Sequence, residues 1–478
     1  MIHIDLLIIT GYLLLINVIG IVFSGKKDLS GYFLGSRSIP WWVACFSIVA
    51  TETSTLTFIS IPGLAYISGM GFLQIVLGYL VGRVVVALFL IPGYFSGNLE
   101  TVYQYLQNRF SFRSRRIVSI IFHITRLLAD SVRLFATAIP LTFLMGWDYP
   151  VSILVIGLAT LVYTIYGGIR SVIIVDSIQL FLYLACAIAG MYIVLQASGL
   201  SIPEFFNSIP IHNLDIFSTG FSNGFSSLFG NYNLFSGIIG GAVLSISSHG
   251  TDHLIVQRVL SCRSQKDAQK AMVGSGIFVF LQFALFLLLG AFLSVHLHGM
   301  EFTRSDEIIP YFIVNTLPPG LKGIMLAGIF AAAMSTLSSS INSLSASTLY
   351  DVVDIDARTI SEKSKMGLSR LVAFIWTVVI MGIAVGVQNT TSPLVELGLA
   401  ITSITYGGIL GIFITAVLRI NVPEWRALVA MACSIIGSTY IALFTTLFWP
   451  WFVSTGLMIY FGTLLLLSFF SFIFDNLE

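Results

Sequence analysis

Thr51-Glu52-Thr53-Ser54-Thr55 cuts through an otherwise apolar segment at 40–67, and Ser245-Ile246-Ser247-Ser248-His249-Gly250-Thr251-Asp252-His253 does the same at 234–257. Polar side chains and unpaired backbone groups are costly at membrane depth, and they persist there where they face protein or a wet cavity. Five apolar segments have their starts between the two breaks, so the broken segments run in opposite directions. Two interrupted helices at matching places in two five-helix halves predict an inverted-repeat transporter, with its solute site where the breaks leave backbone groups free. Taken singly, each run has the alternative of a polar kink facing a neighbouring helix.

Outward from the breaks, the chain is apolar almost throughout. Its 478 residues are 56% hydrophobic and only 9% charged, against about 25% charged in ordinary soluble domains. Thirteen segments near the length that crosses a hydrocarbon core of roughly 30 Å fall at 3–23, 40–67, 71–96, 117–144, 149–166, 171–197, 234–257, 271–297, 320–347, 369–388, 393–418, 426–447 and 450–473. They predict an all-α membrane protein with the lipid bilayer as its main partner, no room for a sizeable soluble domain, no nucleic-acid surface and no obligatory protein partner. The short stretch after Asp475 leaves no output domain expected there. Asp5, rather than a basic cluster, precedes the first apolar stretch, which reads as a retained span and not a signal peptide.

Basic residues concentrate in alternate connections. They include Lys26, Lys27 and Arg37, then Arg109, Arg113, Arg115 and Arg116, then Arg170, then Arg258, Arg263, Lys266 and Lys270, and later Arg358, Lys363, Lys365, Arg370, Arg419 and Arg426. Only Arg304 and Lys322 lie on the other side, which places the N-terminus outside and the C-terminus in the cytoplasm of a cell-membrane protein. Cys45, Cys186 and Cys433 fall in apolar segments as small hydrophobes, Cys262 falls in a basic loop, and no disulfide is expected. A sequon, Asn389-Thr390-Thr391, lies on the expected outer side.

The ninth segment carries Ser335, Thr336, Ser338, Ser339, Ser340, Asn342 and Ser343. Helical spacing puts Ser335, Ser338, Ser339 and Asn342 on one face. Such a ladder of neutral oxygens can replace the hydration shell of a hard cation, or it can simply let two helices approach closely. Asp176, in Val175-Asp176-Ser177-Ile178-Gln179, is either a counter-charge for that cation or a solvated aspartate near the cytoplasmic face. Arg126, Asp130 and Arg133 share a face of the fourth segment. One arginine there either attracts a substrate carboxylate or belongs to a self-contained structural cluster. Arg83 and Glu396 are further charges within apolar segments, with no partner identifiable from the sequence. Glu52 and His249 sit in the breaks, suited to proton coupling or to satisfying freed backbone amides. Walker, dinucleotide, H-E-x-x-H and G-x-S-x-G motifs are absent from the sequence, which weighs against a pump or an enzyme.

Several stretches together resemble the sodium:solute symporter family, which includes transporters of proline, glucose, sialic acid and pantothenate. They are Gly31-Tyr32-Phe33-Leu34-Gly35, Tyr163-Thr164-Ile165-Tyr166-Gly167-Gly168-Ile169-Arg170 leading to Asp176 and Gln179, Asp252-His253-Leu254-Ile255-Val256-Gln257-Arg258, and Ala331 to Ser343. The resemblance spans about residues 10–420. It implies a leucine-transporter-like five-plus-five repeat: an extra helix and loop at 1–39, repeats at 40–200 and 234–420, an extracellular loop at 201–233, and two C-terminal helices at 421–478.

It also implies one sodium site from the carbonyls of Ala50, Thr53 and Ala332 with the hydroxyls of Ser335 and Thr336. Threonine at 336 stands where serine is usual and keeps the ligand. A second sodium site, found in some sialic acid carriers of the family, is matched by Asp176, Ser335, Ser338 and Ser339. On the substrate side the resemblance points to Ser54, Thr57, Arg126, Ser245, Ser248 and His249, with Arg133 nearly as good a match as Arg126. His249 stands where sugar and sialic acid carriers of the family place an aromatic ring, and His253 replaces a common glutamine, so a glucose-type stacking site is not expected. The expected activity is sodium-coupled import of a small organic solute, with one or two sodium ions carried alongside. A proton-coupled carrier and a non-transporting sensor of the same fold are the alternatives.

Overall fold

A computed structural model describes residues 3–25, 28–97, 99–220, 229–230, 232–387 and 394–475. The sequon and the pair Lys26-Lys27 lie outside them. The described residues are helical with no strand. The main helices are α1 (His3–Val22), α2 (Trp41–Glu52), α3 (Thr55–Ser68), α4 (Leu73–Val85), α5 (Phe112–Met145), α6 (Tyr149–Ser198), α7 (Gly241–Gly250) and α8 (His253–Leu260). They are followed by α9 (Gln265–His296), α10 (Leu321–Ser347), α11 (Glu362–Gly386), α12 (Leu394–Val417), α13 (Glu424–Phe444) and α14 (Trp451–Asp475).

Among the described residues nine helices are long and apolar enough to cross a membrane, and the bent pair α2–α3 makes up to ten. Local chemistry explains why this number falls below thirteen. The α6 helix has 50 residues, a contour of about 75 Å at 1.5 Å per residue, more than twice the hydrocarbon thickness. It turns at Gly168, whose φ of 61° lies in the left-handed region and whose added Cβ would meet Tyr32 O at 2.6 Å. The predicted segments 149–166 and 171–197 are thus two helices that meet at this kink with no loop between them, and they count as a single long helix above. The stretch of α5 predicted to span carries Arg126, Asp130 and Arg133, and the second break divides the predicted segment 234–257 into α7 and α8, of 10 and 8 residues, each too short to cross a membrane alone.

The two breaks differ in form. Between α2 and α3 the chain bends by 64° over Thr53 and Ser54. The second break falls at Thr251 and Asp252, the far end of the predicted polar run, because Asp252 caps α8 by accepting from Leu254 N at 2.9 Å. Capping also continues the helix past that point, so Arg258 is not a loop cation: it lies wholly buried in α8. Cys262 does lie in the short connection between α8 and α9, next to Arg263, but its side chain is buried, beside the Ile39 amide that donates to Ser261 O at 3.1 Å. All four cysteines are unpaired, three of them buried and Cys433 half-buried.

The core is built around α10, in which every residue from Met325 to Ser347 is buried. It packs most extensively on α6 and also contacts α1, α5 and α2. Asp5 of α1 accepts from the amides of Gly320 and Gly323 at 2.7 and 3.0 Å. That carboxylate satisfies free N–H groups at the start of α10 and sits at the positive end of its dipole.

Candidate functional site

At the first break the helix ladder loses its register. Thr53 N still donates to Val49 O, but Ser54 N turns to Glu52 O at 3.1 Å instead of reaching Ala50 O. The Ala50 carbonyl is thereby released from its ladder bond. Opposite stands α10, whose Thr336 hydroxyl donates to Thr51 O at 3.4 Å and to Ala332 O at 3.2 Å. Ser335 Oγ is buried and has no hydrogen-bond partner among the described residues. Gln282 of α9 donates to the Thr53 hydroxyl, holding the bend. A buried orphan hydroxyl beside a disrupted backbone ladder is what a neutral-oxygen cation site requires: ligands pointing inward and unsatisfied by protein.

Of the second expected cation set, Asp176 and Ser339 meet at one carboxylate oxygen, which also gathers residues outside the set. Asp176 Oδ2 accepts from Ser47 at 2.8 Å and from Ser339 at 3.4 Å, with Thr51 at 3.5 Å. Arg258 Nη2 lies 3.0 Å away. Ser338 turns elsewhere, donating to Ser335 O at 3.1 Å. Asp176 is fully buried, so the solvated alternative does not describe it.

Between the breaks lies a cavity of about 80 Å³ lined by Glu52, Ser54, Thr57, Arg126, Arg133, Ser248 and His249, among others. Ser245 is not part of the lining; its hydroxyl donates to Tyr79 O at 2.9 Å and joins α7 to α4. One wall is a linked triad. Arg83, buried, pairs with Glu52 and lies 2.9 Å from His249 Nε2, while Ser248 Oγ is 2.8 Å from His249 Nδ1. Arg83 therefore has its partner in the first break, and Glu396 has one in Tyr232.

The opposite wall separates the two arginines. Arg126 is tied to Asp252 at 2.9 Å and to Tyr406 Oη at 2.6 Å, and Tyr406 in turn donates to Asp252 at 2.5 Å. Asp130 is 3.0 Å from Arg133 and 3.8 Å from Arg126. The Arg126 side chain is 5% exposed and that of Arg133 16%. Both line the cavity, and Arg133 has the more exposed side chain of the two.

Farther out, Asp306 in the loop between α9 and α10 accepts from the Ser60 hydroxyl and from Leu394 N at 3.2 Å. Burial raises its pKa above the usual aspartate value despite those donors. Asp306, Tyr406, Ser47 and Gln282 were not singled out by the sequence. Ser47 was the most accessible of them, since it lies one turn before Thr51 on the same face of α2.

The profile of the sodium:solute symporter family matches residues 32–437. The chain is 28% identical to the sodium/sialic acid symporter of Proteus mirabilis over 379 residues, 77% of this chain and 75% of the relative. It is 24% identical to the human sodium-coupled monocarboxylate transporter 1, covering 93% of this chain and 74% of that one. It is also 24% identical to the human sodium/iodide cotransporter, with 90% and 68% covered. A solved sodium-coupled sialic acid symporter, bound to substrate in an outward-open state, superposes with a TM-score of 0.85 at 26% identity, covering 97% of both chains. The nucleobase-cation-symport-1 family transporter Mhp1 shares the fold at a TM-score of 0.58 and 16% identity. With two broken helices facing a shared polar cavity, and a profile match over most of its length, this chain belongs to the sodium:solute symporter family.

Proposed function

We propose that the protein imports a small organic anion across the cell membrane together with sodium, by alternating access. The observation that carries this reading is the juxtaposition at the first break: an unladdered Ala50 carbonyl and the partnerless Ser335 hydroxyl beside a cavity that offers Arg133. Sodium is held by the carbonyls of Ala50, Thr53 and Ala332 with the hydroxyls of Ser335 and Thr336. The solute carboxylate meets Arg133, and Ser54, Thr57, Ser248 and His249 surround the remainder. Sodium bridging α2 to α10 orders the bend that forms the solute wall, so each ligand tightens the other's binding. The chain crosses the membrane thirteen times, with two five-helix repeats at 40–200 and 234–420, an extracellular N-terminus and a cytoplasmic C-terminus. The anionic and carboxylate substrates named for relatives agree with an arginine-lined cavity.

Thermal stability of the purified protein, measured against a panel of organic acids, amino acids and sugars in sodium and in choline, tests this. A ligand that binds the folded state raises stability by mass action, so a carboxylate should stabilise in sodium and fail to do so in choline. Ser335→Ala should raise the sodium concentration needed on the order of tenfold, equivalent to about 1.4 kcal/mol. Equal stabilisation in both salts would instead favour proton coupling through Glu52 and His249, whose 3.5 Å approach inside the cavity is the one feature in its favour.

A further inference from the structure

The Asp176 cluster holds more than the sodium reading requires. Arg258 reaches it from α8, and its guanidinium contacts two of the groups a second ion would use, Asp176 and Ser339. Nη2 pairs with Asp176 Oδ2 at 3.0 Å and donates to Ser339 Oγ; Nε donates to Ser47 Oγ at 2.8 Å; Nη1 donates to Leu254 O at 2.6 Å. Asp176 and Arg258 are each fully buried. Among the described residues Asp176 forms no other salt bridge. One carboxylate in a dry site balances one positive charge. Adding sodium while the guanidinium stays would leave an uncompensated buried cation, which costs several kcal/mol. Asp176 Oδ1, buried and without a hydrogen-bond partner among the described residues, is a ligand not yet used.

We propose that Arg258 and a second sodium ion compete for Asp176, the guanidinium acting as a tethered cation that fills the site when that ion is absent. The inference rests on the sodium-coupled reading and deepens it. Asp176 Oδ2 is where four helices meet: α2 through Ser47, α6 through Asp176, α10 through Ser339 and α8 through Arg258. With Arg258 in place, α8, the second half of a broken helix, is tied to the other three. Sodium arriving at Asp176 releases that tie, so ion occupancy at this site sets whether α8 is free to move relative to α2, α6 and α10. Sodium departure restores it, and the ion-free carrier never carries a naked carboxylate in its core. Arg258 is thus a positioning residue whose charge times the movement of the broken helix.

The test is a sodium titration of thermal stability at constant ionic strength, with choline as the replacement ion. Arg258→Lys keeps the charge, and so the fold, but an ammonium is a point charge that cannot span Ser47, Asp176 and Ser339 as the planar fork does. As the weaker competitor it should lower the sodium concentration for half-maximal stabilisation by on the order of fivefold, the lower end of usual coupling factors. Arg258→Gln should be strongly destabilised in choline and rescued by sodium, gaining more from it than the wild type does, and the double variant Asp176→Asn/Arg258→Gln should fold in choline and lose that extra gain, keeping only the response of the first sodium site. The wild-type sodium curve retained in Arg258→Lys, or the extra gain persisting in the double variant, would overturn the proposal. Absence of any sodium response in the wild type would overturn the sodium-coupled reading itself, whereas loss confined to Ser335→Ala with an unchanged Arg258→Lys curve would reject this inference alone.

Discussion

Arg126 and Arg133 are seven residues apart on one helix face and look interchangeable in the sequence, yet their surroundings give them different duties. Arg126 is clamped by Asp252 and Tyr406, so removing its charge leaves Asp252 buried and unpaired, at a typical cost of 3–5 kcal/mol. Arg133 has one carboxylate neighbour at 3.0 Å and the more exposed side chain. Arg133→Gln should therefore keep most of the protein's melting temperature while losing stabilisation by an anionic solute. Arg126→Gln should depress the melting temperature even without solute. Thermal melts of both variants, with and without the anion, check this, and the reverse pattern would assign the solute to Arg126. Nothing in the sequence separated the two, because the discriminating partners lie 126 and 280 residues away in the chain, beyond the reach of any local pattern.

At the scale of elements, the helices themselves were largely legible, since a run of about 20 apolar residues in a bilayer has no alternative to helix. What remained hidden was how they are ended and joined. The first break was located correctly at Thr51–Thr55 because its polar run is short. The second was spread over nine residues, and only the cap donated to Asp252 fixes it at Thr251–Asp252. Asp5 is a similar case: a lone acid at the start of an apolar stretch says little until it is seen to cap α10, 315 residues later in the chain. Asp5→Ala should cost about 1 kcal/mol, the usual value of a helix N-cap, as a lowered melting temperature. Asp5→Asn, which keeps an acceptor oxygen, should recover most of it. A loss equal for both substitutions would indicate that charge, and not the hydrogen bonds, is what α10 needs.

For the whole molecule, the sequence supplied the all-helical, multi-span character and the two residue clusters proposed to hold cations, but not how charges are balanced across the bundle. Arg258 shows why: by position it belonged with the basic loops, and its burial follows only from where α8 begins. The Asp306 contacts have the same long-range character, joining α3, the loop between α9 and α10, and the first residue of α12. Because burial raises this carboxyl's pKa in the folded state, the folded protein holds the proton more tightly than the unfolded chain. Its contribution to stability is then greatest at low pH and falls as pH rises from the ordinary aspartate value of about 3.9 towards the raised one. The melting temperature of the wild type minus that of Asp306→Asn should accordingly decrease with rising pH across that window, and a constant difference would show that the carboxyl stays unperturbed. The unpaired cysteines carry a practical consequence. With Cys45, Cys186 and Cys262 buried and Cys433 half-buried, the native chain offers a thiol reagent little to attack. Single cysteines placed at Thr57 or Ser248 would report, through alkylation by a membrane-impermeant maleimide, which side of the bilayer wets the cavity at each stage of the cycle.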